Sequence, residues 1–562
     1  MSYAYMGGEP LIGETIGQMF ERIAQTYPDN EALVYVPRDE RHTYREFYDL
    51  CSKAAKSFIA LGVRKGDRVA VWATNHPEWV IAQFSTALIG AILVTVNPAY
   101  RTHELQYGLS NAEVQTLMFI PSFRSSNYMD MFCQVVPEAR EAEPGKLESR
   151  SLPQLRNLVL IGEEKHSGMF TWSEFLELGA GIPDEKLAER AAACDFDDVI
   201  NVQYTSGTTG LPKGASLTHH NILNNGYFVG QTMHFSGKDR LCIPVPFYHC
   251  FGMVLSNLAC VTHGAAMVIP AEYFDPLAVL QTVEKEKCTA LHGVPTMFIA
   301  ELSHPEFKKF DLSTLRTGIM AGAPCPVEVM RQVNEEMNMT EITIAYGQTE
   351  TSPVITQTPY HDTLERRTST VGPPIPHTEV KIVNPETGQI VPIGEQGELC
   401  CRGYQVMRGY YNNERATKEA IDEHGWIHTG DIALMRPDGT FKITGRIKDM
   451  IIRGGENIYP REIEEFLYTH PKIRDAQVIG LPDKKYGEEI CVWIQLKEGE
   501  EASEEEIKDF CKGKIAHYKI PRYVKFVTEF PMTVTGKIQK YKMREISIRE
   551  LGLEAEAGIE TA

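Results

Sequence analysis

The sequence predicts an α/β protein: a large N-terminal domain of parallel sheets flanked by helices, with a β-subdomain, followed by a small α+β C-terminal domain. Three observations predict it. Strand and helix signals alternate through residues 10–100, a pattern that builds mostly parallel sheets with helices on their faces. Residues 395–450 carry strand signals and hairpin turns. Beyond them the pattern becomes a compact mixture of helix and strand, which puts the boundary between domains 1–446 and 447–562. A chain of 562 residues is expected to divide in this way.

The first elements follow from local chemistry. Apolar residues at helical spacing predict a helix over Ile16–Tyr27, and Ala32–Val36 reads as a strand. Thr43-Tyr44-Arg45-Glu46 is a capping box opening a helix to about Leu61. The strand Val69–Trp72 follows Gly66-Asp67-Arg68. Trp79–Val96 holds no charge over eighteen residues. Gln83, Ser85, Thr86 and Thr95 interrupt it, so it reads as a helix from Pro77 to Leu88, a Gly90 stop and a buried strand Ala91–Val96, not as a membrane span. Residues 136–153 are polar and punctuated by proline, the pattern of a surface insertion.

Composition narrows the function classes. Hydrophobic residues make up 43% of the chain, enough for a sizeable core. A net charge of −19 argues against a nucleic-acid surface or an anionic-membrane surface. The twelve cysteines include no C-x-x-C pair, so zinc-ribbon spacing is absent and a reducing, cytoplasmic setting is expected. The N-terminal stretch has no basic-then-apolar pattern of a secretory segment, and the chain ends without a peroxisomal tripeptide.

The chemistry concentrates at Tyr204-Thr205-Ser206-Gly207-Thr208-Thr209-Gly210-Leu211-Pro212-Lys213-Gly214. A strand signal precedes it, Val199, Ile200 and Val202 supplying β-branched bulk, and Thr218 offers a helix cap after it. A loop between strand and helix is therefore expected. Glycines let backbone amides approach a polyanion, four hydroxyls add donors, and Lys213 adds a point charge. This is a phosphate cradle whose spacing differs from the Walker loop. Downstream, Arg240–Gly252 reads as a strand ending in an aromatic cluster. His249 beside Cys250 on that strand would face the opposite way, a poor nucleophile–base pair.

The 204–214 stretch resembles the phosphate loop of the adenylate-forming enzymes, the family of acyl-CoA synthetases, luciferases and peptide-synthetase adenylation domains. The rest of the chain agrees, in order, from about residue 15 to 545. The resemblance implies that the turn Gly322-Ala323-Pro324 takes the adenine. It implies that Ala345-Tyr346-Gly347-Gln348-Thr349-Glu350 carries a purine-stacking Tyr346, an α-phosphate contact at Thr349 and a Mg²⁺ ligand at Glu350, with Thr205 as a second metal contact. His249 becomes a gate between acyl pocket and nucleotide. Asp431 would accept the ribose hydroxyls, Arg446 would reach ribose or phosphate, Lys448 would be the hinge of a mobile C-terminal domain, Gly454 and Gly455 would border the coenzyme A tunnel, and Lys537 would be the mobile lysine of adenylate formation. Any ATP or CoA site must then be a local basic exception on an acidic chain.

The implied activity joins a carboxylic acid to coenzyme A through an acyl-adenylate, using ATP and Mg²⁺ and releasing AMP and pyrophosphate. Gly347 stands where acetate-selective relatives carry a tryptophan. Together with Phe247, His249 and Val254 it implies a deeper apolar pocket and a medium-chain fatty acid. Aryl acids, or loading of a carrier protein, are the alternatives. The expected partners are the acid, ATP and CoA; nucleic acid and a transmembrane segment are not expected, and a homodimer is carried as the assembly.

Overall fold

A computed structural model describes residues 1–205, 212–323, 325–453, 456–533 and 537–554. The chain forms two compact units, one of Ala4–Val380 with Cys401–Ile427, the other of Met1–Tyr3, Lys381–Cys400 and His428–Ala562.

The larger unit carries two α/β sheets. One runs, edge to edge, Gly409–Tyr410, Lys213–Thr218, Val199–Thr205, Ile92–Thr95, Arg68–Trp72, Thr116–Phe119, Asn157–Leu160. Its first two pairings are antiparallel and the remaining ones parallel. The parallel strands are buried on both faces, which is why their sequences read as continuous apolar runs rather than alternations. The second runs Val354–Gln357, Glu341–Gly347, Thr317–Ala321, Ala290–Leu291, Arg240–Cys242, Ala266–Ile269, Glu31–Tyr35, Glu40–Thr43, parallel inside with an antiparallel strand at each edge.

Local expectations translate directly. Thr43 and Glu46 close the capping box of the helix Tyr44–Ala60. The helix Pro77–Ile89 is buried along its whole length and ends at Gly90, whose left-handed φ of 68° needs a residue without Cβ strain. No helix among the described residues is long and apolar enough to cross a membrane. Residues 136–153 lie at the surface, anchored by the buried Val136, Ala139, Leu147 and Leu152. One expectation needs correction. The strand at 240 ends at Cys242, because Pro244 and Pro246 cannot donate to a ladder, and a wholly buried π-helix, Phe251–Leu258, takes its place.

In the smaller unit, a long antiparallel pair, Ile473–Asp483 with Gly487–Leu496, packs the helices Pro460–Leu467 and Glu504–Cys511 over a core of Ile463, Leu467, Val478, Val492, Ile494 and Ile507. Ser503 caps the second helix, its hydroxyl accepting the Glu506 amide. Ile427–Met435 and Phe441–Arg446 form an antiparallel pair with its turn at Gly439, the expected Asp-Gly hairpin.

One core residue breaks the rule that buried charge is paired. Glu301, on the helix Pro295–Leu302, is fully buried, and neither carboxyl oxygen meets a hydrogen-bonding partner among the described residues. Burial raises its pKa well above the usual carboxyl range. Above the unfolded-state pKa the unfolded chain gives up this proton while the folded chain keeps it, so the group destabilises the fold increasingly as pH rises toward the folded pKa. Glu301→Leu should therefore raise the thermal midpoint, and by more at about pH 8 than at about pH 5. A gap that is the same at both would contradict this account.

Candidate active site

The cradle is built by a hairpin. Val199–Thr205 pairs antiparallel with Lys213–Thr218, setting Tyr204 opposite Gly214 and Thr205 opposite Lys213. The loop therefore joins two antiparallel strands, not a strand and a helix as expected. The helix His219–Thr232 starts only after the second strand, capped by Thr218, whose hydroxyl accepts from the Asn221 amide. The sequence stays extended past Lys213 because its other edge is claimed: Ala215 pairs with Tyr410 and Ser216 with Gly409. Gly214 is required here, since a Cβ would stand 2.7 Å from the Val202 side chain. Thr205 Oγ1 donates to the Lys213 carbonyl at 3.3 Å, closing the base of the loop. Ser206, Gly207, Thr208, Thr209 and Gly210 lie outside the described residues.

A second polar turn leaves the other sheet. Glu341–Gly347 runs into a 3₁₀ turn, Thr349–Thr351, in which the Gln348 amide donates to Thr351 Oγ1 at 3.1 Å. Gly347 sits at a bulge opposite Val354, where a Cβ would fall 1.8 Å from the Pro353 carbonyl oxygen. Its role is therefore close backbone approach. Any side chain there disturbs the bulge before it reaches a pocket, so a tryptophan at this position is not a clean probe of pocket depth. Glu350 Oε1 accepts the Tyr410 hydroxyl at 2.7 Å, and the Glu350 carbonyl accepts the Met407 amide at 2.9 Å. Lys213 Nζ lies 5.0 Å from the centroid of the Tyr410 ring. Burial, then the Glu350 charge, raise the Tyr410 pKa, so the phenol remains a donor.

His249 occupies a turn, not a strand, so the opposite-faces argument does not apply to it. Its Nδ1 accepts the Phe251 amide at 3.1 Å, which leaves the neutral ring's proton on Nε2. Cys250 Sγ lies 3.7 Å from His249 Nδ1 and 3.7 Å from Thr349 Oγ1. These are weak thiol contacts that tie the two turns together. Beyond the strand Thr317–Ala321, which sets Ala321 opposite Ala345, Gly322 takes a φ of 86°, and Gly322 and Ala323 are exposed, as a flat ring lying on backbone needs. Tyr346 follows Ala345 on the neighbouring strand and is half-buried. Pro324 lies outside the described residues.

In the smaller unit, Asp431 and Arg446 stand directly opposite on the antiparallel pair and are ion-paired, Nε to Oδ1, at 2.9 Å. Asp431 is buried and Arg446 exposed. The approach to Asp431 is braced by Glu398, whose carboxylate meets His428 Nδ1 at 2.8 Å and accepts the Gly430 amide at 3.0 Å; Cys400 Sγ lies 3.5 Å from the same imidazole nitrogen. Lys448 is exposed in the turn Ile447–Asp449. Lys537 is exposed, and its amide donates to Thr533 Oγ1 at 3.0 Å while its carbonyl accepts the Thr533 amide at 2.7 Å. Gly454 and Gly455 lie outside the described residues.

Three groupings thus emerge: Thr205–Lys213–Tyr410–Glu350, His249–Cys250–Thr349, and Asp431–Arg446. Sequence reasoning missed Tyr410 altogether. Its only signal is an aromatic pair, Tyr410-Tyr411, held between Gly409 and the turn residues Asn412-Asn413.

Comparison with known proteins places the chain in a family. The family model described as AMP-binding enzyme matches residues 20–411, and that described as AMP-binding enzyme C-terminal domain matches residues 462–537. YngI of Bacillus subtilis (strain 168), provisionally named an acyl-CoA synthetase, is 56% identical over 97% of this chain and 99% of its own length. The mitochondrial medium-chain acyl-CoA ligase ACSF2 of Danio rerio is 47% identical over 98% of this chain and 91% of its own. Among solved structures, the anthranilate CoA ligase AuaEII in complex with anthranoyl-AMP superposes with a TM-score of 0.85 at 27% identity, covering 97% of this chain and 99% of the other. ATP-bound MatB from Rhodopseudomonas palustris gives 0.82 at 26% identity, covering 96% and 99%.

The Gly347 bulge has a consequence for stability. Gly347→Ala should cost about 2 kcal/mol or more, because the added carbon meets a backbone carbonyl that cannot swing away. A lowered thermal midpoint is the expected measurement, and a midpoint equal to the wild type would mean that the bulge yields freely.

Proposed function

The chain belongs to the AMP-binding enzyme family, and on that premise we propose that it is an ATP-dependent acid–thiol ligase. It forms acyl-CoA from a carboxylic acid and coenzyme A through an acyl-adenylate, releasing AMP and pyrophosphate. The observation that carries the reading is the Thr205–Lys213–Tyr410–Glu350 grouping, a cation and a carboxylate fixed at the mouth of a hydroxyl- and glycine-rich loop. The preferred acid in this reading is a medium-chain fatty acid, supported by the name of the ACSF2 relative and by the apolar Phe247 and Val254 near His249.

The donors suit the expected metal. A carboxylate at Glu350 and a hydroxyl at Thr205 are hard oxygens of the kind Mg²⁺ takes alongside nucleotide phosphates. When bound, the ion would neutralise phosphate charge. The chain's own residues do the rest. Lys213 and the loop amides hold the triphosphate, and Thr349 orients the α-phosphate for attack by the acid's carboxylate oxygen. The turn at Gly322 and Ala323 with Tyr346 receives the purine, Asp431 and Arg446 the ribose. The difficulty of bringing two anions together is met by positioned cations and donors. Lys537 supplies such a charge during adenylation. The reading takes residues 447–562 as a mobile domain hinged near Lys448, whose rotation exchanges Lys537 for the 454–455 loop before the CoA thiol attacks the acyl carbonyl and AMP leaves. It also includes a reducing compartment such as the cytoplasm, supported by twelve cysteines present as free thiols.

Exchange of labelled pyrophosphate into ATP, with a panel of aliphatic and aromatic acids, tests the reading; no exchange with any acid would end it. Lys537→Ala should depress exchange by about a hundredfold or more while largely sparing thioester formation from supplied acyl-adenylate. Equal losses in the two half-reactions would refute the division of roles.

A further inference from the structure

We propose that Tyr410 is a positioning residue of the nucleotide site, its hydroxyl holding the Glu350 carboxylate and its ring face holding the Lys213 ammonium. The proposal rests on the adenylation reading above and adds to it the side chain that governs the relation between the metal-binding anion and the phosphate-binding cation.

The backbone around Tyr410 is stitched on both sides. The Arg408 and Tyr411 amides donate to the Ser216 and Gly214 carbonyls at 2.9 and 2.7 Å, along the second arm of the cradle hairpin. The Met407 amide donates to the Glu350 carbonyl at 2.9 Å, on the other turn. The Tyr410 amide donates to Thr417 Oγ1 at 2.9 Å, and Gly409 lies so close to Thr417 that a Cβ would meet its methyl at 2.8 Å. The five residues 407–411 therefore link the two polar turns through backbone, and Tyr410 is the side chain that crosses between them.

A phenol suits this place for a chemical reason. Lys213 and Glu350 carry opposite charges, and a direct pair would satisfy each with the other instead of with phosphate and metal. Tyrosine gives each its own partner: an O–H donor for one carboxylate oxygen, with the second oxygen left to face a cation, and an electron-rich face for the ammonium. Holding Glu350 in one orientation before the ligand arrives reduces the ordering cost of metal binding.

Two substitutions separate the contacts. Tyr410→Phe keeps the ring under Lys213 and loses the hydroxyl; Tyr410→Leu loses both. With ATP present, Mn²⁺ binding followed by electron paramagnetic resonance should weaken about tenfold in Tyr410→Phe, the size of a lost hydrogen bond to a charged group. ATP binding without metal should stay near wild type in Tyr410→Phe and weaken several-fold in Tyr410→Leu. Unchanged Mn²⁺ affinity in folded Tyr410→Phe, with pyrophosphate exchange intact in the wild type, overturns the positioning role alone. A tenfold loss of Mn²⁺ affinity with no exchange in the wild type overturns the adenylation reading and leaves the positioning role standing. A measurement that keeps both contacts covers a variant that fails to fold: with 3-fluorotyrosine at position 410, Mn²⁺ with ATP should broaden the fluorine resonance and Mg²⁺ with ATP should not. An unbroadened line overturns the proposal.

Discussion

Two short strands lie antiparallel at the edge of an otherwise parallel sheet, and their backbone pairing sets the positions of Thr205, Lys213 and Tyr410 in the larger unit. Lys213–Thr218 is bonded on one side to Val199–Thr205 and on the other to Gly409–Tyr410. A register slip of one residue in either pairing would turn Lys213 or Tyr410 to the opposite face. The cradle's cation, the carboxylate of the neighbouring turn and the phenol between them are thus placed by ladder hydrogen bonds. Main-chain ladders cost no side-chain rotamer freedom, which makes them a rigid mount for these groups.

The second mount is the π-helix. In Phe251–Leu258 the turns are wider than in an α-helix, and the whole segment is buried. Gly252 tucks against the chain before it, where a Cβ would stand 2.4 Å from the Pro246 carbonyl oxygen. Ser256 Oγ donates to the Phe251 carbonyl at 3.0 Å and lies 3.0 Å from His292 Nδ1, so it satisfies a backbone group the irregular turn exposes. Burial pushes the His292 pKa down to about 3, keeping that ring neutral in the core. The result is a fixed exit from the proline-broken strand that delivers His249 and Cys250 beside Thr349.

Much of this was legible in the residues. The parallel sheets followed from apolar runs alternating with helical periods, and the helix start at Thr43 from capping chemistry alone. The polar turns at 204–214 and 346–350 stood out because hydroxyls, glycines and charges cluster there. What could not be read was pairing between segments distant in the chain. Nothing local says that Ala215 meets Tyr410, so the strand Lys213–Thr218 and the part played by Tyr410 went unread. Gly347 was read as an absence of bulk facing a pocket, whereas its need is the Pro353 carbonyl beyond a bulge, a contact invisible without the register. The segment 136–153 read as surface because its charges and prolines outnumber its few apolar residues, and those few are its anchors.

The two units hold their polar residues by different means, and the difference bears on how such a site could work. Around Glu350 the contacts are half-buried and reinforced by backbone, so moving any one of them disturbs the others. Arg446, Lys448 and Lys537 are exposed at the ends of strands and turns, and the Asp431–Arg446 pair has its cation in solvent. Lys448 and Lys537 reach into water, where reorienting a charge is cheap, whereas Arg446 holds a buried carboxylate and is tied more firmly. Residues that bind a common substrate in two successive steps gain from rigidity, and residues that must exchange places between steps gain from weak, solvent-screened attachment. The distribution of burial among these side chains follows that division: what the reaction would keep is built into ladders, and what it would move is left in water.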